Sequence, residues 1–306
     1  MIYKIIIFVC FVFLYGSCSQ RNSSPENQKD SKRTDIKKNL DELEEVLPGY
    51  DYGTPLAPYY SSLPSGNSIT KFKYFVVVSY LDQTTTYSII DNDIRYTIEA
   101  MTQDYCSSLP ETVTPIILFD DYNSYKNFST GVFNIPESDL SPYGFYKISK
   151  NMIIIRYVNW KGSPSHEVTH TFTKKDFPEM PSWFDEGLAS LHEKATYKNG
   201  KLAGDFSWRI LALRRAINEN TYTGLRVMME TNDDELYGRL STFYYAQSRY
   251  LLMYLQEKNL LEKYYKKFRD TFDNDPTGIS QLELLLGQNL ESFDKDYIDY
   301  INSFKN

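Results

Sequence analysis

The sequence predicts an α+β fold: a small mixed α/β amino-terminal subdomain with a β-hairpin edge, followed by a mostly helical half. Three observations predict it. Short apolar runs flank a helical pattern between residues 75 and 119, two strand-like runs follow at 143–157, and apolar residues recur at helical spacing beyond Pro164. With 306 residues, 42% of them hydrophobic, the chain can bury one large core or two small ones, so complete disorder is excluded.

The elements of the first half are predicted in the order strand, helix, strand, short helix and hairpin. Their predicted ranges are 75–79, 84–106, 114–119, 122–128, and 143–148 with 152–157. The hairpin is indicated by Ser149-Lys-Asn151, a short polar turn between two runs of β-forming residues. The second half contains four long segments with apolar residues at helical spacing, at 206–217, 243–255, 260–272 and 279–301.

The amino terminus carries the features of an export signal. Lys4 precedes an uninterrupted apolar stretch, residues 5–15, which is too short to span a bilayer comfortably but typical of a secretory signal. The following Leu14-Tyr-Gly-Ser-Cys18 resembles a bacterial lipobox, except that Tyr15 stands where Leu is usual. We therefore predict that residues 1–17 are a lipoprotein signal peptide and that Cys18 is lipidated, with an ordinary signal peptide as the alternative.

Residues 18–68 are predicted to be a disordered tether and an irregular connection, and the folded part, residues 69–306, to begin near Ile69. The tether is polar and mixed in charge, and several prolines punctuate the segment that follows it. Cys106 is then the one thiol besides Cys18 that remains after cleavage, so it has no partner for an intramolecular disulfide. Its apolar context predicts an inert core thiol.

The net charge of the chain argues against one class of partner. The formal charge is -7, which leaves no basic excess to neutralise phosphate groups. The sequence therefore predicts no nucleic-acid binding.

Residues 165–170, Ser-His166-Glu167-Val-Thr-His170, form a His-Glu-x-x-His pattern placed just after Pro164, where a helix would start. Residues four apart share one face of a helix, so His166 and His170 can bind one Zn²⁺ together. Glu167 lies beside them, where it can accept a proton from a water held at the metal. This pattern predicts the catalytic centre of a metallopeptidase.

A third zinc ligand is expected from the segment Pro181-Ser-Trp-Phe-Asp-Glu186-Gly-Leu-Ala-Ser190. A His-Glu-x-x-His helix followed by Trp-Phe-x-Glu-Gly-Leu-Ala resembles the gluzincin metallopeptidases, the thermolysin and aminopeptidase group, and especially the bacterial peptidase-MA-like proteins. The resemblance covers roughly residues 70–306 and implies that Glu186 is the third zinc ligand. The spacer at 171–185 is somewhat short against the larger gluzincins.

Other residues compete for roles at this site. Asp176 follows His170 by six positions, where some metzincin-like enzymes place a third ligand, but Thr173 stands where that architecture needs Gly. His192 lies about 240° around a helix from Glu186, so we expect it at the surface or behind the ligands rather than on the metal. Tyr244 and Tyr245 are the candidates, by position, for stabilising an oxyanion, although packing in the core is the favoured explanation for either tyrosine.

The resemblance implies a zinc-dependent peptidase that acts on a peptide or protein substrate. The amino-terminal signal adds anchoring to the bacterial cell envelope through lipid. The alternative is a catalytically inactive envelope lipoprotein that uses a peptidase fold to bind peptides or proteins. Intact His166, Glu167, His170 and Glu186 argue against this alternative, because decay of a site usually removes at least one of its residues.

Overall fold

A computed structural model describes residues 43–158 and 163–304. The described chain is of the mixed α+β type, with one six-stranded sheet in its first half. The strands of this sheet are β1 Glu45–Val46, β2 Ser68–Lys73, β3 Phe75–Ser79, β4 Thr114–Phe119, β5 Gly144–Lys147 and β6 Met152–Arg156. They lie in the order β1-β2-β3-β4-β6-β5, so that β5 forms one edge.

The central strands β3, β4 and β6 run parallel to one another, and both of their faces are buried. Alternate residues along them enter two different cores. Val77, Ile116 and Ile153 pack on the face toward the helical half, whereas Val78 and Ile117 pack on the opposite face. Both faces are covered, as is usual for parallel strands, and this explains why these strands are apolar throughout rather than alternating.

The helices cover the sheet and build the second half of the chain. A continuous helical run, α1, begins at Gln83 and ends at Tyr105, with π-helical turns at Ile89–Ile94 and Met101–Tyr105. The others are α2 Tyr122–Phe133, α3 Ser163–Asp176, α4 Ser182–Glu193, α5 Ile210–Asn218, α6 Leu225–Met229, α7 Asp233–Leu236, α8 Ser241–Glu257, α9 Leu261–Thr271, α10 Ile279–Leu286 and α11 Leu290–Ser303. A second hairpin, β7 Ala195–Lys198 with β8 Lys201–Gly204, lies between α4 and α5.

The predicted order of the first half is confirmed, including the two buried strands, the helix between them and the antiparallel hairpin β5–β6. The second half is mostly helical, as predicted, with two interruptions that the sequence analysis did not place. The segment 279–301 is not one helix, because Gly287 adopts a left-handed conformation with φ of 70° and Asn289 caps a new helix. The chain after Pro164 is also interrupted by β7 and β8, whose turn at Asn199-Gly200 has positive φ at both positions.

The predicted start of the folded part at Ile69 is too late. Leu43 and Leu56 are buried, and β1 pairs in parallel with β2, so the chain packs on the sheet from residue 43 onward. The predicted signal peptide, residues 1–17, and Cys18 lie outside the described residues. Within residues 43–158 and 163–304, no helix has both the length and the apolar character needed to cross a bilayer.

Candidate metal centre

Two packed helices, α3 and α4, carry the predicted site residues. Both helices are almost entirely buried where they meet, and α4 also packs against α8. Gly187 permits this second contact, because a Cβ atom at this position would lie 2.9 Å from Cβ of Ser248 on α8. Real side chains essentially never approach so closely. The glycine of the Glu-Gly-Leu-Ala segment therefore lets Glu186 sit deep between α3 and α8.

The structure brings His166, His170 and Glu186 together with all three side chains buried. Oε2 of Glu186 lies 3.2 Å from Nε2 of His166 and 3.7 Å from Nε2 of His170. Nitrogen and oxygen ligands at zinc bond lengths on a tetrahedron are separated by about 3.3 Å, so these distances suit one zinc ion.

Two of these atoms also lack other partners. Nε2 of His170 and Oε2 of Glu186 are buried and make no hydrogen bond to the described residues. Buried polar atoms without a partner are costly in a folded protein. A metal ion between them would satisfy both atoms, so the residues present fit a zinc site.

Glu167 shares a pocket with two of the three clustered residues, His166 and His170. Glu167 is buried, and the same pocket is lined by Lys174 and, from β5 and the turn that follows it, by Gly144, Phe145, Tyr146 and Ile148. Burial raises the pKa of the Glu167 carboxyl and the Glu186 carboxylate adds to this effect, while the two histidines and the backbone N–H of Tyr146 act in the opposite direction. A raised pKa makes a carboxylate a better proton acceptor near neutral pH.

The Asp185 carboxylate contacts the His170 ring on the side that faces away from Glu186. Nδ1 of His170 lies 3.0 Å from Oδ1 of Asp185, and this oxygen also accepts a hydrogen bond of 2.6 Å from the Thr173 hydroxyl. Nζ of Lys174 lies 2.8 Å from the other Asp185 oxygen. Such a carboxylate fixes the orientation of a metal-binding imidazole, here with Nε2 turned toward Glu186. Sequence reasoning missed Asp185 and Lys174, although Asp185 directly precedes the predicted ligand.

The same contacts set the charge of His170. Burial alone would lower the pKa of His170, but the Asp185 and Glu186 carboxylates outweigh it and raise the pKa to about 9. The unfolded value is near 6.5, so the metal-free protein keeps a proton on this ring throughout the neutral range. A metal ion can bind Nε2 only after that proton leaves.

We therefore expect zinc binding at pH 7 to release about one proton from His170. The apparent zinc affinity should then rise about tenfold per pH unit until the pH approaches the pKa of His170. Zinc titration calorimetry at neutral pH, in buffers of different ionisation enthalpy, measures the released proton. Asp185→Asn is the matched variant, because it removes the charge that raises this pKa and should reduce the release. An affinity that stays constant between pH 6 and pH 8 would contradict the expectation.

Asp176, the alternative third ligand, forms hydrogen bonds and an ion pair with other parts of the chain. Its carboxylate accepts hydrogen bonds from the backbone N–H groups of Ser107 and Ser108, each 2.7 Å long, and from the Tyr265 hydroxyl. Nη1 of Arg269 completes the set at 2.7 Å. Asp176 thus ties the end of α3 to α1 and α9 and does not join the two histidines.

His192 does not share the cluster, and of the two predicted places it is buried behind His166 and Glu186 rather than at the surface. Its Nδ1 lies 2.9 Å from the Thr169 hydroxyl oxygen, and that hydroxyl itself donates to the Ser165 carbonyl. Burial lowers the pKa of His192 to about 3, with Arg249 adding to the effect. A neutral His192 therefore links α4 to α3 behind the ligands.

Tyrosines surround the outer side of Glu186. The Tyr237 hydroxyl donates a hydrogen bond of 3.0 Å to Oε1 of Glu186. Tyr245 also lies against this carboxylate, and burial together with Glu186 raises the pKa of Tyr245 well above its usual value. Tyr244 instead belongs to the apolar core beside Phe243. Of the two predicted candidates only Tyr245 reaches the site, and Tyr237, which stands in no recognisable motif, was missed.

Cys106 is partly buried and packs against the core, in agreement with the prediction of an inert thiol. Its Sγ lies near the Tyr265 hydroxyl, and burial raises its pKa to about 12. A thiol with such a pKa is unreactive at neutral pH.

The chain was compared with known proteins. No protein-family model matches it, and no curated protein matches it. Any functional conclusion therefore depends on the geometry of the site itself.

Proposed function

We propose that this protein is a zinc-dependent metallopeptidase of the gluzincin type that hydrolyses peptide bonds. One observation carries the proposal: three buried residues suited to zinc lie beside the buried carboxylate of Glu167, which lines a pocket next to the edge strand β5. A surface pair of histidines would need neither the burial nor the pocket that they share with Glu167. The expected fold of such enzymes, a mixed sheet followed by a helical half, is compatible with the α+β architecture.

Each residue has a distinct role in this proposal. His166, His170 and Glu186 hold the metal, and Asp185 keeps the His170 ring in place. When bound, zinc supplies Lewis acidity that polarises a carbonyl group and acidifies water. Glu167 accepts the proton of the attacking water and delivers it to the leaving amine, a role that its raised pKa favours. Tyr245 is the candidate donor to the oxyanion.

The β5 edge offers a way to hold the substrate. Arg156 of β6 donates its backbone N–H to the Tyr143 carbonyl, so by antiparallel alternation Phe145 also pairs with β6 while Tyr146 turns its backbone groups away. The Tyr146 N–H faces the Glu167 carboxylate, so the Tyr146 carbonyl is the group that a substrate backbone would meet beside the pocket. An extended peptide that adds to this edge would carry its backbone past the metal ligands. The proposed substrate is therefore a peptide or an unfolded segment of a protein.

Metal removal tests the proposed activity. We expect the purified protein to cleave unfolded protein substrates, to lose this activity when a chelator removes the metal, and to regain it with about one zinc per chain. Cleavage is followed by mass spectrometry of the products, and zinc by elemental analysis. A chain that binds zinc fully but cleaves none of a varied set of unfolded substrates would instead favour the peptide-binding alternative.

We also propose that the protein is anchored to the membrane of the bacterial cell envelope through lipid on Cys18. The proposal depends on the sequence of residues 1–18. Cys18→Ala should abolish acyl labelling and release or misprocess the protein, since a sulfur atom is required for the lipid. Cys106→Ala is the matched control and should leave labelling unchanged. Acyl labelling that persists in Cys18→Ala would show that the lipobox interpretation is wrong.

A further inference from the structure

The two carboxylate oxygens of Glu186 have different surroundings. Oε2 faces both histidines, whereas Oε1 accepts a hydrogen bond of 3.0 Å from the Tyr237 hydroxyl on the opposite side. A carboxylate can bind a metal through one oxygen or through both. A hydrogen-bond donor at Oε1 therefore influences whether the Glu186 carboxylate binds a metal through one oxygen or through two.

Tyr237 is itself held firmly by its local structure. It directly follows α7, whose first turn is closed by a capping box between Asn232 and Glu235. The Tyr237 backbone N–H donates to the Asp233 carbonyl, and the Asp233 carboxylate accepts a 2.6 Å hydrogen bond from Ser182. Ser182 is the first residue of α4, the helix that carries Glu186.

The phenol ring is also packed. Its edge meets the ring of Tyr245, with centroids 6.4 Å apart and planes at 62°. The ring position and the α7 connection leave the hydroxyl little freedom to turn away from Oε1. The donor is thus fixed before any metal arrives, which is the property that a supporting hydrogen bond needs.

We infer that Tyr237 is a positioning residue that holds Glu186 in one-oxygen coordination by occupying Oε1, so that the remaining position at the metal stays open for water or substrate. This inference rests on the proposed function, because it concerns the same metal site. Without the Tyr237 hydroxyl, Oε1 loses the hydrogen bond that holds it, with Tyr245 still beside the carboxylate, and it can then turn toward the metal as a second ligand atom. The carboxylate would then fill part of the open position.

Tyr237→Phe, which removes only the hydroxyl, tests the inference in the full chain. We expect its zinc affinity to fall by about 10–100-fold, the usual effect of losing a supporting hydrogen bond, in competition with a chromophoric chelator. With cobalt in place of zinc, the visible bands should lose intensity, since five-coordinate cobalt absorbs more weakly than four-coordinate cobalt. Tyr222→Phe is the matched control: its hydroxyl donates a 2.7 Å hydrogen bond to Asp294, and its loss should change neither measurement.

A second variant separates positioning from a general effect on folding. In a Glu186→Ala background, Tyr237→Phe should not weaken metal binding further, because its target is already absent. If Tyr237→Phe lowered zinc affinity by the same factor in the wild-type and the Glu186→Ala backgrounds, the inference would be overturned. So would wild-type zinc affinity and an unchanged cobalt spectrum in Tyr237→Phe, a result that leaves the proposed peptidase standing. A wild-type chain that binds no zinc would instead overturn the proposed function and this inference with it.

Discussion

Glu167→Gln should retain zinc at the wild-type stoichiometry while hydrolysis falls by roughly 10²–10⁴-fold, the range expected for losing a general base. Glu167 is buried in the pocket beside the ligands but is not itself one of the three clustered residues. The amide keeps the size and polarity of the side chain and cannot accept the proton of water at neutral pH. Zinc content and initial rates of cleavage, measured on the same preparation, test both halves of the expectation.

The matched control for this variant is Glu111→Gln. Glu111 forms an ion pair at 2.7 Å with Lys175 near the end of the same helix, but its side chain is 78% exposed and does not line the pocket that contains Glu167. Its substitution should change neither zinc content nor rate, because exposed ion pairs contribute little. Undiminished cleavage by Glu167→Gln would remove Glu167 from the mechanism, and loss of zinc in that variant would make it a ligand.

The site residues that could be predicted are those that lie a few positions apart on one helix. His166 and His170 lie on one helix four residues apart, so the periodicity of α3 alone places them together. Glu186 lies on another helix, and its assignment came from a resemblance rather than from spacing. Asp185 and Tyr237 meet these residues only through packing of α3, α4 and α7, and their own sequence neighbourhoods carry no metal-site pattern.

The fold likewise contains strands that the sequence predicts and strands that it does not. Strands β3 and β4 were predicted at their observed bounds because they are continuous apolar runs flanked by polar residues. Strand β2 was missed, since its exposed Ile69 and buried Thr70 run against the usual pattern of polarity. The β7–β8 hairpin had a recognisable signal in Asn199-Gly200, which the helical patterns on both sides obscured.

Glu186→Ala should bind zinc far more weakly than the wild type, because two imidazoles and solvent make a poor tetrahedral site. The substitution also leaves the Tyr237 hydroxyl without its acceptor, so thermal unfolding must be measured beside zinc content. His170→Ala removes another ligand of the same set and should give a comparable loss. A folded Glu186→Ala chain with wild-type zinc content would remove this residue from the ligand set.

Asp176→Asn gives the decisive contrast with Glu186→Ala, because Asp176 was the competing third ligand. Its buried carboxylate accepts four hydrogen bonds, including the ion pair with Arg269 on α9, and the variant removes the charge at the buried end of that pair, while Asp270 still pairs with the guanidinium. We therefore expect a lower melting temperature but full zinc content, since a partner lost from a buried pair destabilises the fold without touching the ligands. Zinc lost from Asp176→Asn and kept by Glu186→Ala would replace the gluzincin geometry with a metzincin-like one.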